Sequence, residues 1–389
     1  MLDQPLTMLD RVKAVLPEIA ARASLAEENR MVPAGNIALL KTTGLHRAFQ
    51  PKAYGGLEMP VPEFENCIAA IAGACGSTAW AFSLLAQHSH QLAICSKELQ
   101  DELWAADPDV VASSSIAPYG RAEETEGGIT FSGEFGWSSG SDHAQWAILG
   151  FLRATPQGKA YSFAVLPRRD YTIRDTWFAK GMRGSGSKTI VVDRVFVPEH
   201  RIETVPALMS MQSAGAALYP DSKTYFTPFI YVFASCFAAV SLGIAERMIE
   251  LYKTRTQGRV RAYTGAKVGQ SIPAAMRLAE SAHQVAAGRA FLEKAWEDMR
   301  DHAARRVYPD AEKMAYWRTN QAYAVRIFIE AVDRLFAASG GTAWFDDSEA
   351  QRLFRDSHMT GAHAYTDYNI CAQILGRALM GLEPDPALF

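Results

Sequence analysis

One segment of this 389-residue chain combines an aromatic ring, hydroxyl groups and glycines in a pattern that suits a ligand-binding site. It spans residues 133–143 and reads Gly-Glu-Phe-Gly-Trp-Ser-Ser-Gly-Ser-Asp-His. Trp137 offers a ring for stacking, and Ser138 and Ser139 offer short hydrogen-bond donors, so the segment suits a flat heterocycle such as a flavin. On a strand, Trp137 and Ser139 would point to the same face. The polar edge of a strand with a core Trp would have the same composition, and this alternative stays open at this point.

Two later segments carry groups of the same kind. Residues 181–189 contain Arg183 and Ser185 in a glycine-rich run whose backbone N–H groups suit the oxygens of such a heterocycle. A plain turn between two strands would look alike. Residues 355–365 contain His363 and Tyr365. An imidazole can exchange a proton near neutral pH, but a lone helical histidine is more often a packing residue.

The composition describes an ordinary folded protein and argues against nucleic acid as a partner. Lys and Arg number 39 and Asp and Glu number 42, which leaves a net charge of -3. The five cysteines are odd in number and widely spaced, which predicts reduced, packed thiols and a cytoplasmic protein. Neither an N-terminal signal nor an apolar run of about 18 residues is evident, so we expect no export and no membrane span. His88 and His90 lack a third ligand at a recognisable spacing, so no metal site is predicted.

The periodicity of the apolar residues divides the chain into three zones. Residues 6–105 have helical spacing, with a break at Gly73-Ala74-Cys75-Gly76. Residues 110–200 contain short apolar runs separated by Gly, Pro and Asp, which is typical of strands. Helical spacing returns after residue 228. The predicted domains are an N-terminal helical domain at residues 1–107, a β domain at residues 108–215 and a helical bundle at residues 216–389.

This order of elements, together with several motifs, resembles the acyl-CoA dehydrogenase fold and, within it, the flavin-dependent monooxygenase branch. Besides the three segments above, the resemblance is carried by residues 45–51, 54–59, 113–118, 219–223 and 375–386. It implies a mainly α fold with a middle β-barrel and a C-terminal four-helix bundle, which assembles as a homotetramer.

The resemblance also implies an activity. The protein would be the oxygenase component of a two-component monooxygenase that ortho-hydroxylates a 4-substituted phenol, such as 4-hydroxyphenylacetate, to a catechol through a flavin C4a-hydroperoxide. The cofactor would be reduced FMN, with FADH2 as the other candidate, and the oxidant would be molecular oxygen. No Gly-x-Gly-x-x-Gly motif follows a predicted strand, so a separate NAD(P)H-dependent flavin reductase would supply the reduced flavin.

The roles of the candidate catalytic residues come from the same resemblance. Ser139 would donate a hydrogen bond near flavin N5, and His363 would manage the proton of the peroxide. His88 and Ser114 would meet the phenolic hydroxyl, where a neutral imidazole can accept the proton and raise the electron density at the ortho carbon. Ser114 would also touch the flavin, and Tyr365 would line the substrate pocket.

A second group of residues is predicted from the resemblance to bind the cofactor: Trp137, Ser138, Arg183, Ser185, Arg259, Gly340 and Gly341. The last three would meet the flavin phosphate, for which an arginine is well shaped. The arginine would reach the flavin of a neighbouring subunit. The end of a helix would by itself also explain the two glycines.

The chain departs from the family pattern at one position of the predicted substrate pocket. Ile230 stands where an arginine able to bind an arylacetate carboxylate is expected, which favours neutral or short para substituents over 4-hydroxyphenylacetate. Three alternatives stay open: another phenol or a polycyclic substrate, an acyl-CoA dehydrogenase-like flavoenzyme, and a flavin-binding protein without turnover. The matched C-terminal region has no carboxylate at the position of a dehydrogenase base, which argues against the second.

Overall fold

Helices form both ends of the chain and strands form its middle, in the predicted order. The computed structural model describes residues 6–156 and 158–382, so the last residues of the motif at 375–386 lie outside the described part. The N-terminal helices are α1 Met8–Ala21, α2 Ala23–Asn29, α3 Ala34–Thr43, α4 Val61–Ala74, α5 Gly76–Ala93 and α6 Lys97–Trp104. The strands are β1 Ala112–Thr125, β2 Gly128–Ser138, β3 Trp146–Thr155, β4 Gly158–Pro167, β5 Thr172–Arg174, β6 Lys188–Pro198 and β7 Ile202–Thr204. The later helices are α7 Val205–Met209, α8 Phe229–Gly258, α9 Ile272–Arg305, α10 Ala311–Ala337, α11 Glu349–Gly361 and α12 Tyr368–Leu379. The domain boundaries at residues 107 and 215 stay predictions.

The predicted break between α4 and α5 lies at Cys75, which sets the start of α5. Cys75 has an extended backbone (φ -158°, ψ 108°), and its Sγ accepts a hydrogen bond from the backbone N–H of Thr78 at 3.4 Å. A side-chain acceptor at this position satisfies one of the free N–H groups of the first helical turn. All five cysteines are buried and unpaired, as predicted.

The strands form one seven-stranded sheet in the order β5-β6-β2-β1-β3-β4-β7. The first part of β1 pairs in parallel with β3, and its last part pairs antiparallel with β2. In the first part, Ala112 lies beside Trp146 and Ser114 lies beside Ile148. Both of these β3 residues pack in the core that the sheet shares with the helices, whereas Ala147 packs in a separate core of the β domain. Because side chains alternate along a strand, Ser114 belongs to the face that covers the helices.

A bulge near the end of β2 overturns the expectation that Trp137 and Ser139 share a face. The pairing of β2 with β6 shifts between Phe135 and Ser138, and Trp137 has a left-handed backbone with φ of 66°. An extra residue in one strand interrupts the alternation of side chains. Trp137 is therefore 68% exposed, while Ser139 is only 5% exposed and points into the protein.

The central helix of the bundle, α8, is apolar enough along part of its length to pass as a membrane span. Its most apolar 18-residue window has a mean hydropathy of 1.8, so the expectation of no such run was wrong. The window is 94% buried inside the protein. A helix that is apolar on all sides is typical of a buried core position, and α8 has this character because α4, α5, α9, α10 and α11 pack around it.

Gly243 allows α4 and α8 to approach closely. A Cβ at this position would lie 2.0 Å from the carbonyl oxygen of Ala69. We expect Gly243→Ala to lower the free energy of unfolding by about 1 to 3 kcal/mol, because the two helices must separate. The measurement is urea unfolding followed by circular dichroism. Gly376→Ala in α12 is the matched control, since no atom lies within 4 Å of its Cβ position, and it should leave stability unchanged or raise it by up to about 1 kcal/mol. Equal effects of the two substitutions would contradict the close-packing argument.

Candidate active site

Helix α5 carries Trp80 and His88 into the centre of the protein. All residues of this helix are buried. Positions four and eight residues apart lie on one face of a helix, so Trp80, Leu84 and His88 form a single row. This row lies between the sheet and α8, since His88 contacts Ala112 of β1 and Trp80 contacts Phe237 of α8.

The hydrogen bonding of His88 leaves one ring nitrogen as a free acceptor. Its Nδ1 lies 2.8 Å from the carbonyl oxygen of Ala112, and since a carbonyl only accepts, Nδ1 carries the proton and donates it. Burial lowers the pKa of His88 to about 4, so the ring is neutral near pH 7. The other nitrogen, Nε2, is buried and has no partner among the described residues. His88 therefore presents a neutral hydrogen-bond acceptor to the interior.

His88 also lines a narrow cavity of about 10 Å³, which we call the His88 cavity. It is lined by residues of α5 and the first turns of α8: Gln87, His88, His90, Gln91, Phe229, Val232 and Phe233. The cavity is smaller than a phenol ring, so side chains must move when a ligand enters. Ile230, a predicted substrate contact, is buried in the same turn of α8. It is not among the described residues that line the cavity, although Phe229 and Val232 beside it are.

Aromatic rings connect the His88 cavity to the C-terminal motif. The Phe233 ring centroid lies 5.8 Å from that of His88 and 5.5 Å from that of Tyr365. Phe237, one turn further along α8, stacks on His363 with a centroid distance of 4.0 Å. The structure thus brings the predicted residues His88, His363 and Tyr365 together around Phe233.

His363 is held in the opposite tautomer to His88. Its Nδ1 accepts a hydrogen bond from the backbone N–H of Tyr365 at 3.2 Å, which leaves the ring proton on Nε2. Burial among the surrounding rings lowers the pKa of His363 to about 4, and the positive charge of Arg318 acts in the same direction. The Nε2–H of His363 is therefore a neutral hydrogen-bond donor, whereas the Nε2 of His88 is a neutral acceptor.

Ser139 belongs to a buried chain of hydroxyl groups. The indole Nε1 of Trp80 donates to Ser139 Oγ at 3.1 Å. Ser139 Oγ lies 2.7 Å from Ser187 Oγ, which lies 2.7 Å from Ser185 Oγ. An indole N–H can only donate, so it occupies an acceptor site of Ser139. When Ser187 also donates to Ser139, the hydroxyl proton of Ser139 remains available to a ligand.

The other predicted cofactor residues on the strands lie in different surroundings. Ser114 is half-buried on the sheet face toward the helices. Ser138 is fully buried and donates to Ser113 Oγ at 3.1 Å, so its side chain is occupied inside the sheet. Trp137 lies at the surface, edge-on to Trp177 with a centroid distance of 5.2 Å. Of these three residues, Trp137 alone offers a large exposed ring.

The glycine-rich run at residues 181–189 is held against α11 and α5. The backbone N–H of Met182 donates to Asp356 Oδ1 at 2.6 Å, and that of Gly184 donates to Ser77 Oγ at 3.1 Å. The backbone N–H of Ser185 bonds to the Met182 carbonyl at 3.0 Å. These amides are therefore not free donors, which corrects the expectation for this part of the run. The Nε of Arg183 is buried and has no partner among the described residues.

The predicted phosphate-binding residues form a separate site at the far end of α8. Arg259 Nη1 donates to the Ala338 carbonyl at 2.9 Å, and a Cβ at Gly340 would lie 2.9 Å from Arg259 Nη2. Gly341 follows and begins a short 3-10 helix. Arg259 lies in a pocket of about 250 Å³ whose polar lining includes Arg261, Ser271 and Arg277, and we call it the arginine pocket. A pocket with three arginines is suited to a phosphate.

The two sites of one chain are far apart. Phe233 lies in the second turn of α8, and Arg259 follows its last residue. At 1.5 Å per residue, the helix separates them by roughly 39 Å. A flavin mononucleotide is much shorter than this, so one molecule cannot occupy both sites of the same chain.

Comparison with known proteins identifies the family. The chain is 61% identical to the p-hydroxyphenylacetate 3-hydroxylase, oxygenase component, of Acinetobacter baumannii over 383 residues, which cover 98% of this chain and 91% of that protein. The chain belongs to the oxygenase components of flavin-dependent monooxygenases. The enzyme class predicted from the sequence is thereby confirmed, and an acyl-CoA dehydrogenase activity is not supported.

Solved structures of related enzymes have the same fold as this oxygenase component. The 3-HSA hydroxylase from Rhodococcus sp. RHA1 has a TM-score of 0.93 and 31% sequence identity, and the match covers 98% of this chain and 99% of that one. XiaF from Streptomyces sp., solved in complex with FADH2 and glycerol, has a TM-score of 0.91 and 26% identity, with 97% and 96% covered. The family model for the acyl-CoA dehydrogenase C-terminal domain matches residues 235–368. The predicted fold class is confirmed.

Several residues of this oxygenase component site were not predicted from the sequence. Trp80, Ser187, Phe233 and Phe237 make contacts with the predicted residues, and Arg318 lies beside Tyr365. Trp80 could have been found, because it precedes His88 by eight residues on the same helical face. Arg318 had no such signal, since its helix is far from the motifs in the sequence.

The buried His90 predicts a measurable pH dependence of stability. Burial lowers its pKa from 6.5 to about 4, against the opposing effect of its hydrogen bond to the Thr224 carbonyl. Between these two values the unfolded chain binds a proton that the folded chain excludes, so the contribution of His90 is complete above pH 6.5 and is lost as the pH falls. We expect the free energy of unfolding of His90→Gln to vary less steeply between pH 6.5 and 5, by about 1 kcal/mol per pH unit.

Urea unfolding at several pH values provides the test. Asp356, whose pKa burial raises to about 6, acts in the opposite direction, but it is present in both proteins and cancels in the comparison. His283→Gln, at an exposed position on α9, is the control and should follow the wild-type curve. Parallel curves for the wild type and His90→Gln would show that His90 is not buried in its neutral form.

Proposed function

We propose that this oxygenase component ortho-hydroxylates a 4-substituted phenol, such as 4-hydroxyphenylacetate, to the catechol. The relative from Acinetobacter baumannii, named for the hydroxylation of p-hydroxyphenylacetate, supports this substrate class. The observation that carries the proposal is the Nε2 of His88, a buried and neutral acceptor without a partner among the described residues, beside a cavity lined by aromatic rings. A phenolic hydroxyl is the donor that such a nitrogen would bind.

The residues present fit a reduced flavin. When bound, the flavin supplies the electrons that activate molecular oxygen, one atom of which enters the phenol. The hydroxyl of Ser139, which can donate to a ligand when Ser187 donates to it, and the exposed ring of Trp137 would meet the isoalloxazine. Arg259 with the close approach of Gly340 would hold the phosphate. Reduced FMN is the proposed form, with FADH2 as the alternative, since XiaF was solved with FADH2. A separate NAD(P)H-dependent reductase would deliver it, as the name of an oxygenase component implies.

In this proposal His88 binds and polarises the phenol. The hydrogen bond from the phenolic O–H to Nε2 orients the ring, and transfer of the proton to the imidazole as oxygen is inserted raises the electron density at the ortho carbon. Burial lowers the pKa of His88 to about 4, so the ring is neutral and able to accept this hydrogen bond before the reaction begins. Ser139 and the Nε2–H of His363 are the donors available to the oxygen side of the reaction.

The proposed assembly is a homotetramer, located in the cytoplasm, in which neighbouring chains complete each flavin site. The separation of roughly 39 Å between Phe233 and Arg259 supports this, because the arginine pocket of one chain could then serve the flavin ring site of another. A single-ring phenol requires less movement of the side chains around the His88 cavity than a polycyclic substrate would.

The first test of the function replaces His88. We expect His88→Ala to form catechol about 100-fold more slowly or worse, while oxygen uptake continues and ends as hydrogen peroxide. Oxygen consumption is followed with an electrode and catechol by chromatography, with reduced flavin supplied chemically. His46→Gln, at a buried histidine outside the site, is the control and should keep the wild-type ratio of catechol to oxygen. Loss of oxygen uptake with normal coupling in what remains would assign His88 to the oxygen step instead.

A second test examines the shared flavin site. Ser139→Ala removes a hydrogen bond worth about 1 to 3 kcal/mol, so unproductive release of hydrogen peroxide should rise roughly 5- to 150-fold. Arg259→Ala should weaken flavin binding. If Ser139 and Arg259 of different chains form one site, an oligomer that mixes the two variants in equal amounts regains roughly a quarter of the wild-type sites. Coupled hydroxylation by the purified mixed oligomer measures this, and no recovery above the separate variants would place both residues in a single-chain site.

A further inference from the structure

Arg318 is a buried cation without an anionic partner. It lies on α10 and is only 5% exposed. Among the described residues, no carboxylate lies within ion-pair distance of its guanidinium, and its Nε has no hydrogen-bond partner. Arginine stays charged at any physiological pH, so burial cannot be relieved by loss of the proton. A buried charge of this kind is costly unless an anion binds to it.

Three part-buried arginines of the bundle have the carboxylate partners that Arg318 lacks. Arg289 pairs with Glu246, Arg334 with Glu280 and Arg247 with Glu349. On α10 itself, Arg326 lies over the ring of Tyr368 at 4.9 Å and pairs with Glu330. Arg318 lies over the ring of Tyr365 at the same distance of 4.9 Å, but with no carboxylate. The contrast indicates a place for a ligand anion.

The surroundings of Arg318 connect it to the proposed substrate pocket. Tyr365, which it covers, packs on Phe233, and Phe233 packs on His88. The charge of Arg318 also lowers the pKa of His363. At Tyr231 the same charge opposes the rise in the pKa of the hydroxyl that burial causes. Arg318 is therefore joined to His88 by successive ring contacts through Tyr365 and Phe233. A phenol whose hydroxyl binds His88 would have its para substituent among the rings that lead to Arg318.

We propose that Arg318 binds a carboxylate on the para substituent of the substrate, which makes the substrate a 4-hydroxyaryl carboxylic acid. The proposal rests on the proposed function. Arg318 on α10 would take the place of the arginine that was expected at position 230 on α8, where this chain has Ile230. The proposal therefore replaces the expectation that the pocket favours neutral phenols. The guanidinium can form two parallel hydrogen bonds to a carboxylate, while the face of Tyr365 holds it in position.

The test compares two ligands of equal shape and different charge. 4-Hydroxyphenylacetate and 4-hydroxyphenylacetamide are titrated by equilibrium dialysis against the protein with reduced FMN under anaerobic conditions, so that binding is measured without turnover. The wild type should bind the acid at least about 10-fold more tightly than the amide. Arg318→Gln should weaken binding of the acid by roughly 10- to 100-fold and change binding of the amide by less than about 3-fold.

Two further variants make the result decisive. Arg326→Gln removes another arginine of α10, one that lies over a different tyrosine ring at the same distance. This variant should leave the ratio of acid to amide affinity unchanged. Arg318→Lys keeps the charge without the bidentate geometry and should give an intermediate ratio, which also serves if Arg318→Gln does not fold. Equal binding of acid and amide by the wild type would overturn the proposal, as would equal losses for both ligands in Arg318→Gln. Hydrogen peroxide release by Arg318→Gln is measured separately in air, and a rise there with unchanged binding of both ligands would overturn the proposal and assign Arg318 to His363 instead.

The dialysis, combined with the catechol assay used to test the function, also separates this proposal from the proposed function. If the wild type prefers the acid but forms no catechol from it, Arg318 is a carboxylate site and the assigned reaction is wrong. If both phenols are hydroxylated but bound equally, the reaction stands and the role of Arg318 fails.

Discussion

The hydrogen bond between His88 and the carbonyl of Ala112 joins the buried helix α5 to the first strand of the sheet. Because α5 is buried along its whole length, its polar side chains must find partners within the protein. His88 and His90 both bond to backbone carbonyls, which fixes each ring as a neutral donor through one nitrogen. The remaining nitrogen of His88 has no partner among the described residues and His88 lines a cavity, so the interaction that docks the helix also leaves an acceptor for a ligand.

The need of buried polar groups for hydrogen-bond partners also shapes the part of the site around Ser139. The turn after Gly181 cannot hydrogen-bond like a strand, and Asp356 and Ser77 satisfy its amides from two helices. Gly181 is required here, since a Cβ would lie 2.3 Å from the carbonyl oxygen of Arg355. This turn also positions Ser185 and Ser187, whose hydroxyl groups form a hydrogen-bonded chain that ends at Ser139. A substitution in α11 can therefore shift the hydroxyl of Ser139 through this turn, without a direct contact with Ser139.

The length of α8 separates two kinds of binding chemistry. Its first turns carry the aromatic rings of the His88 cavity, and its end leads into the arginine pocket. The buried middle of the helix is apolar and packs closely through Gly243, which keeps the two ends rigidly apart. Glu65 on α4 and Arg318 beside the rings are both buried in this region without an ion-pair partner among the described residues. Burial raises the pKa of Glu65 and so favours its neutral form, whereas an arginine stays charged, which is why Arg318 is treated as part of the site.

The sequence by itself determined the fold class and the enzyme class, because helical and strand periodicities are local and the motifs are long. The roles of the candidate site residues stay predictions. His88, His363 and Tyr365 were predicted as one site and lie around Phe233. Only the tertiary structure decided which face Trp137 and Ser139 take, since a bulge depends on how two strands pair. It also decided the tautomers of the histidines and the isolation of Arg318, because a hydrogen-bond partner or a missing counter-charge comes from residues far away in the chain.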